Sequence, residues 1–208
     1  MAFYSPDPAM GQILGDLVRA LELHDRPGLA QQLSITWLRY DGSLLARARD
    51  LDPASLWPQR VAGASWGGEC QRYPASVVKV FYLAAAEAWL QADLLEPSPE
   101  WHRALAAMIQ ESSNDATSLV VDWLSGTTSG PPLTGAAMAD WIAQRQLVNG
   151  WLGSLGWPEL EGCNVCQKTW GDGPFGRERQ FYGPHQENRN SLSTDATARL
   201  FHAVIASA

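Results

Sequence analysis

The sequence predicts an α+β chain: one helix, a β-hairpin, then mostly helices. Three observations carry this. Apolar residues recur at helical spacing in residues 9–24 and in several later segments. The run SITWLRYDGSLLARARD places two strand-like stretches on either side of Asp41-Gly42. The 208 residues are 46% hydrophobic and 18% charged, an ordinary globular composition with enough chain to bury one sizeable core.

The elements follow in order. AMGQILGDLVRALELH, residues 9–24, places Ile13, Leu14, Leu17, Val18 and Leu21 on one helical face. Asp41-Gly42 suits the left-handed backbone of a two-residue hairpin turn. Residues 51–75 carry Pro and Gly punctuation and read as irregular, so no third strand is expected. Ser76 to about Leu95 is apolar and Ala-rich, a buried helix. Ser98-Pro99-Glu100 is a helix start, with Ser as cap, Pro in the first turn and an acid at the positive end of the dipole. That helix breaks at ESSND, and ATSLVVDWL begins another. Residues 125–135 form a Gly/Pro/Thr loop, and GAAMADWIAQRQLVNGWLGSLG is helical. A long segment, 158–193, is rich in Gly, Asn, Arg and Gln. Thr194 and Asp195 can cap a last helix, ATARLFHAVIASA, in which the sequence stops without a closing cap.

Composition excludes several classes of function. A net charge of −7 and the lack of a Lys/Arg-rich run argue against nucleic-acid binding. No apolar run reaches membrane-spanning length, so no membrane insertion is expected. The N-terminus, MAFYSPDPAMGQIL, has no basic region followed by an apolar stretch, so it reads as cytoplasmic with no signal peptide. Cys163 and Cys166 form C-x-x-C, with no second such pair and no nearby His pair, so they read as loop thiols rather than zinc ligands. His24, His102, His185 and His202 show no ligand spacing and read as surface or cap residues. No metal or organic cofactor is implied. The ten tryptophans are many for this length and suggest large packed anchors.

The chemistry lies in YPASVVKVFYL. Ser76 precedes Lys79 by three residues, so on a helix beginning at Ser76 the two share a face. The serine hydroxyl then sits at the positive helix end, near free backbone N–H groups. Val77, Val78, Val80 and Phe81 surround Lys79, and burial lowers an ammonium pKa. A neutral amine beside a hydroxyl can take its proton and make it a nucleophile. The Ser76 N–H can donate to the oxyanion of a tetrahedral intermediate. S-x-x-K alone also arises by chance, and a lysine can snorkel to water. A second motif adds weight: ESSND places Ser112 two residues before Asn114 at a helix break. The Ser112 hydroxyl can relay a proton to a leaving group, and the Asn114 amide can hold Lys79 and a substrate carbonyl. The same residues also make an ordinary capping loop.

Together these residues resemble class A β-lactamases and the penicillin-recognising serine hydrolases. YPASVVKVFYL looks like their S-x-x-K segment, SSN their S-D-N, and NRNSLSTDATARLFHAVI their Thr-Thr-Pro segment and the helix after it. The resemblance covers most of the chain in the family's order. It implies a β-lactamase-like (DD-peptidase-like) fold, with a mostly helical lobe and a sheet packed between helices. It implies one domain over residues 1–208, incomplete at its C-terminus. The implied reaction is acyl transfer from a β-lactam or a related small-molecule or peptide amide. Ser76 would attack, Lys79 would be the base, Ser112 would carry the proton to the leaving nitrogen, and Asn114 would position substrate and Lys79. The resemblance implies an exported, periplasmic or extracytoplasmic enzyme.

Three departures stand out. Ser113 replaces the Asp of S-D-N. The omega-loop E-x-x-L-N is absent, with GPFGRERQFYG in its place. There Glu178 is the best-placed acid to activate a deacylating water, with Glu187 next, which tilts the expectation towards weak lactam turnover. K-T-G on a strand after the last helix is missing, and Lys168 in QKTWG is read as a loop residue. That strand supplies one oxyanion donor, worth roughly 10²–10³ in rate. Without it the hairpin keeps an unpaired edge, so poor solubility or self-association through that edge is expected. The alternative is a catalytically impaired remnant or binding module that keeps the helical lobe. A thiol redox protein using Cys163 and Cys166 ranks last, for want of a βαβ context.

Overall fold

The computed structural model describes residues 3–42, 52 and 61–207. It is α+β, mostly helical, with a small three-stranded sheet. The described residues fall into two compact units.

The first unit comprises residues 1–71, 158–161 and 193–208. It holds β1 (Ser5–Pro6), α1 (Pro8–Asp25), α2 (Leu29–Gln32), β2 (Ile35–Arg39), β3 (Ala62–Trp66) and the C-terminal helix, α9 (Thr194–Ser207). The strand order is β1-β3-β2. β1 runs parallel to β3, and β2 runs antiparallel to it with Ile35 opposite Trp66 and Arg39 opposite Ala62. The antiparallel partner of β2 therefore comes from 62–66. The strand-like run after Asp41-Gly42 lies outside the described residues. Residues 62–66, expected to be irregular, are the central strand.

Neighbouring residues of a strand face opposite sides of the sheet, and β2 shows what covers each. Ile35 packs with Met10, Leu14, Val18 and Ala64, so α1 lies on one face. On the other face, Thr36 Oγ1 lies 2.8 Å from Thr194 Oγ1 and donates to Asp195 Oδ1 at 2.5 Å, so α9 covers it. The buried stripe of α1 is Met10–Leu14–Val18. Ile13, Leu17 and Leu21, expected on the same buried face, are about half exposed. α9 is capped one residue earlier than expected: Ser193 Oγ accepts from the Ala196 N–H at 3.0 Å. His202, expected at the surface, is buried and 2.9 Å from the Tyr40 hydroxyl.

The second unit comprises residues 72–157 and 162–192. A 3₁₀ turn, Ala75–Val77, leads into α3 (Val78–Gln91). Then come α4 (Pro99–Gln110), α5 (Asn114–Ser125), α6 (Gly135–Arg145), α7 (Leu147–Ser154) and α8 (Gly176–Tyr182). Ser98 caps α4 as expected, accepting from the Trp101 N–H at 3.1 Å. The single helix expected over 135–156 is two, divided at Gln146. α8 is a helix inside a segment read as loop. α3 is the central element: Val78, Phe81, Tyr82, Ala85 and Ala86 are fully buried, and α4, α5 and α7 pack against it.

Candidate active site

Ser76 lies in the 3₁₀ turn that opens α3, at the N-terminal end of the buried helix. The Val77 N–H donates to the Pro74 carbonyl at 3.0 Å and tightens this turn. Ala75, just before the serine, has φ of 47°, a left-handed conformation costly for a residue with a Cβ. Lys79 follows one turn later and is only 2% exposed, between fully buried Val78 and Phe81.

The second side of the site is the α4–α5 connection, Glu111–Ser113. Ser113 caps α5, its Oγ accepting from the Ala116 N–H at 3.2 Å, and its own N–H donates to the Ala107 carbonyl at 3.1 Å. Serine therefore holds this loop where the resembled family has aspartate. Ser112 is left at φ of 53°, a second strained non-glycine residue, with both its carbonyl and its hydroxyl turned to Lys79. Such strain persists only where the surroundings over-determine it, and it clusters at functional sites.

The four residues meet through hydrogen bonds. Lys79 Nζ donates to the Ser112 carbonyl at 2.5 Å, to Ser112 Oγ at 3.0 Å and to Asn114 Oδ1 at 3.0 Å. Ser112 Oγ donates to Ser76 Oγ at 3.0 Å. An ammonium has three N–H groups, and these three acceptors use all of them. Burial opposes the charge and pushes the Lys79 pKa below its ordinary value. Hydroxyl hydrogens rotate, so the chain can also run the other way, from Ser76 through Ser112 to a neutral Lys79 nitrogen. Ser76, Ser112 and Asn114 are exposed, so a ligand can reach three of the four groups.

Glu178, the expected water-activating acid, bonds to other partners. It is fully buried on α8, and its Oε1 lies 2.6 Å from Arg145 Nη2 and 3.7 Å from Lys168 Nζ, and accepts from Ser129 Oγ at 2.8 Å. Lys168 Nζ is also 2.6 Å from Asp122 Oδ2, and Arg145 Nη2 is 3.3 Å from Asp122 Oδ1. These partners form a quartet of two carboxylates and two cations, buried but for the partly exposed Asp122, and none of them is Ser76, Lys79, Ser112 or Asn114. Glu187 is exposed and accepts from the His185 N–H at 3.2 Å. Lys168 does lie in a loop, as read, but it is buried. Sequence reasoning missed Arg145, Asp122 and Ser129. The available signal was Asp122 standing alone in the apolar run LVVDWL.

No disulfide joins Cys70, Cys163 or Cys166. Cys166 is buried, and desolvation pushes its thiol up to about 12, which opposes thiolate chemistry. Among the described residues no group of three or more His, Cys, Asp or Glu is placed to hold a metal ion, and no helix is long and apolar enough to cross a membrane. In comparisons with known proteins, no family model, no curated protein and no solved structure matches this chain.

Proposed function

We propose that the chain is a serine acyl-transfer enzyme of the class A β-lactamase-like kind, acting on a β-lactam or a related amide. The observation that carries this is Ser112 Oγ standing 3.0 Å from both Ser76 Oγ and Lys79 Nζ, which links a nucleophile to a base with a lowered pKa. In the reacting state Lys79 is neutral. The Ser76 proton passes to Ser112 Oγ as the Ser112 proton passes to Lys79 Nζ. Ser76 Oγ forms its bond to the substrate carbonyl carbon, and the carbonyl π pair moves onto oxygen. On collapse the C–N bond breaks. Lys79 returns the proton through Ser112 to the leaving nitrogen, and the acyl group stays on Ser76. Asn114, 3.0 Å from Lys79, holds the ammonium between the two steps.

A second reading is a chain that accepts an acyl group and keeps it, or binds ligand without turnover. It is favoured by Glu178, whose partners are Arg145, Lys168 and Ser129 rather than Ser76 or Lys79. Intact-mass spectrometry after incubation with a penicillin, on the parent chain and Ser76→Ala, separates the readings. A persistent adduct on the parent alone supports acylation with slow release. Lactam consumed without an adduct indicates turnover. No adduct and no consumption rejects the enzyme reading.

A further inference from the structure

The second unit contains a cleft of about 390 Å³ that the acylation chemistry does not use. Tyr73, Gln167, Lys168, Trp170, Asp172 and Arg189 are among the residues that wall it. Tyr73 is three residues before Ser76, so chain geometry keeps the Tyr73 Cα within about 11 Å of the Ser76 Cα.

The wall is firmly held by its main chain. Asn190 Oδ1 accepts from the Cys166 N–H at 3.0 Å and from the Gln167 N–H at 2.9 Å. The Gln167 carbonyl accepts from Asn190 Nδ2 at 2.9 Å and from the Tyr82 hydroxyl at 2.6 Å. The side chains on this fixed backbone are a different matter. Gln167 is 3% exposed, and neither its Nε2 nor its Oε1 has a hydrogen-bond partner. Thr169 Oγ1 and Trp170 Nε1 are buried and unpartnered as well. A buried amide with no partner keeps its full desolvation cost, so native proteins seldom retain one without a use for it.

Charge narrows what the cleft can take. The Lys168 ammonium is engaged by Asp122 and Ser129. The Arg189 guanidinium lies 3.9 Å over the Tyr73 ring and donates to Gln186 Oε1 at 3.1 Å. Asp172 offsets the remaining positive charge, which leaves no excess for a phosphate or another strong anion.

We propose that this cleft binds an uncharged, amide-bearing ligand through the Gln167 carboxamide and the Trp170 indole. Gln167 presents a donor and an acceptor side by side, so its complement is an N–H next to a C=O. Two sources present that pair: the main chain of an extended peptide, and the ring edge of a cyclic amide. Trp170 Nε1 donates to a second carbonyl. The carboxamide is covered, and ligand reaches it when the Gly171–Gly173 turn swings aside. A Cβ at either glycine would meet nothing within 4 Å, and Gly173 has φ of 89°, so the turn has room to move and the backbone freedom to do so. The site does not depend on acylation of Ser76.

The test is calorimetric titration of the full chain carrying Ser76→Ala, which removes any acylation. One arm uses acetyl-trialanine methylamide as the extended peptide; the other uses glutarimide as the cyclic amide. Binding in either arm is expected, and the arm that binds identifies the source. Gln167→Met keeps the side-chain length and removes its polar atoms. It is expected to weaken that binding at least roughly tenfold while the melting temperature holds or rises, because a buried amide without partners has been removed. Trp170→Phe, which keeps a ring and loses the indole N–H, is expected to weaken binding without unfolding the chain. No binding in either arm would overturn the proposal. So would a Gln167→Met protein that melts lower and binds as before, since Gln167 would then be structural.

Discussion

Two clusters in the second unit both bury lysine, and they do opposite things with it. Around Lys79 there is no carboxylate among the bonded partners, only a carbonyl, a hydroxyl and an amide oxygen. No opposite charge offsets the burial cost, and the pKa falls. Around Lys168, Asp122 and Glu178 balance Lys168 and Arg145 charge for charge. The first arrangement leaves an amine ready to exchange a proton beside an exposed serine. The second is balanced in charge, and the exposed Ser129 hydroxyl it touches is held by both Lys168 Nζ and Glu178 Oε1 at 2.8 Å. Both lysines are buried, so burial alone does not distinguish them; the difference is whether carboxylates among their partners neutralise the charge.

The comparison can be broken from either side. The largest effect is expected at the nucleophile: Ser76→Ala abolishes the acyl adduct outright, read by intact mass. Next, Lys79→Met slows adduct formation by roughly 10²–10⁴, the usual contribution of a positioned base, read from the time course of acylation. The quartet should respond in stability instead. Glu178→Ala leaves buried Arg145 with Asp122 as its remaining carboxylate partner, and is expected to lower unfolding stability by about 3–5 kcal/mol in urea titration. At temperatures where that variant is folded, its rate of adduct formation is expected to match the parent. A large loss of acylation with unchanged stability would move Glu178 into the reaction. The smallest effect is at the loop: Ser113→Ala removes the cap of α5 and is expected to cost about 1 kcal/mol, by the same titration.

The first cluster was legible in the sequence because each half is local. Ser76 and Lys79 are one helical turn apart, and Ser112 and Asn114 flank a capping serine at a visible helix break. What brings the halves together is the packing of α3 with α4 and α5, which the spacing does not encode. The second cluster was not legible, because its partners are distant in sequence. Arg145 meets Asp122 from 23 residues before and Glu178 from 33 residues after. In isolation Arg145 reads as an ordinary helix-end cation, and Glu178 reads as an acid available to activate water. β3 was missed for a related reason. AGASW has weak strand propensity, yet Gly63 is required there, since a Cβ would lie 2.7 Å from the Tyr4 ring and 3.0 Å from Leu38. Close approach of neighbours, not propensity, chose that residue.

The most direct test of the central claim is the rate of Ser76 acylation by a penicillin as a function of pH. In the proposed mechanism acylation needs neutral Lys79, and burial lowers its pKa. The rate should therefore rise with pH and level off through an inflection below the ordinary lysine value of about 10.4. The same inflection should vanish in Lys79→Met. A parent profile that is flat, or that inflects identically with and without Lys79, would contradict the account.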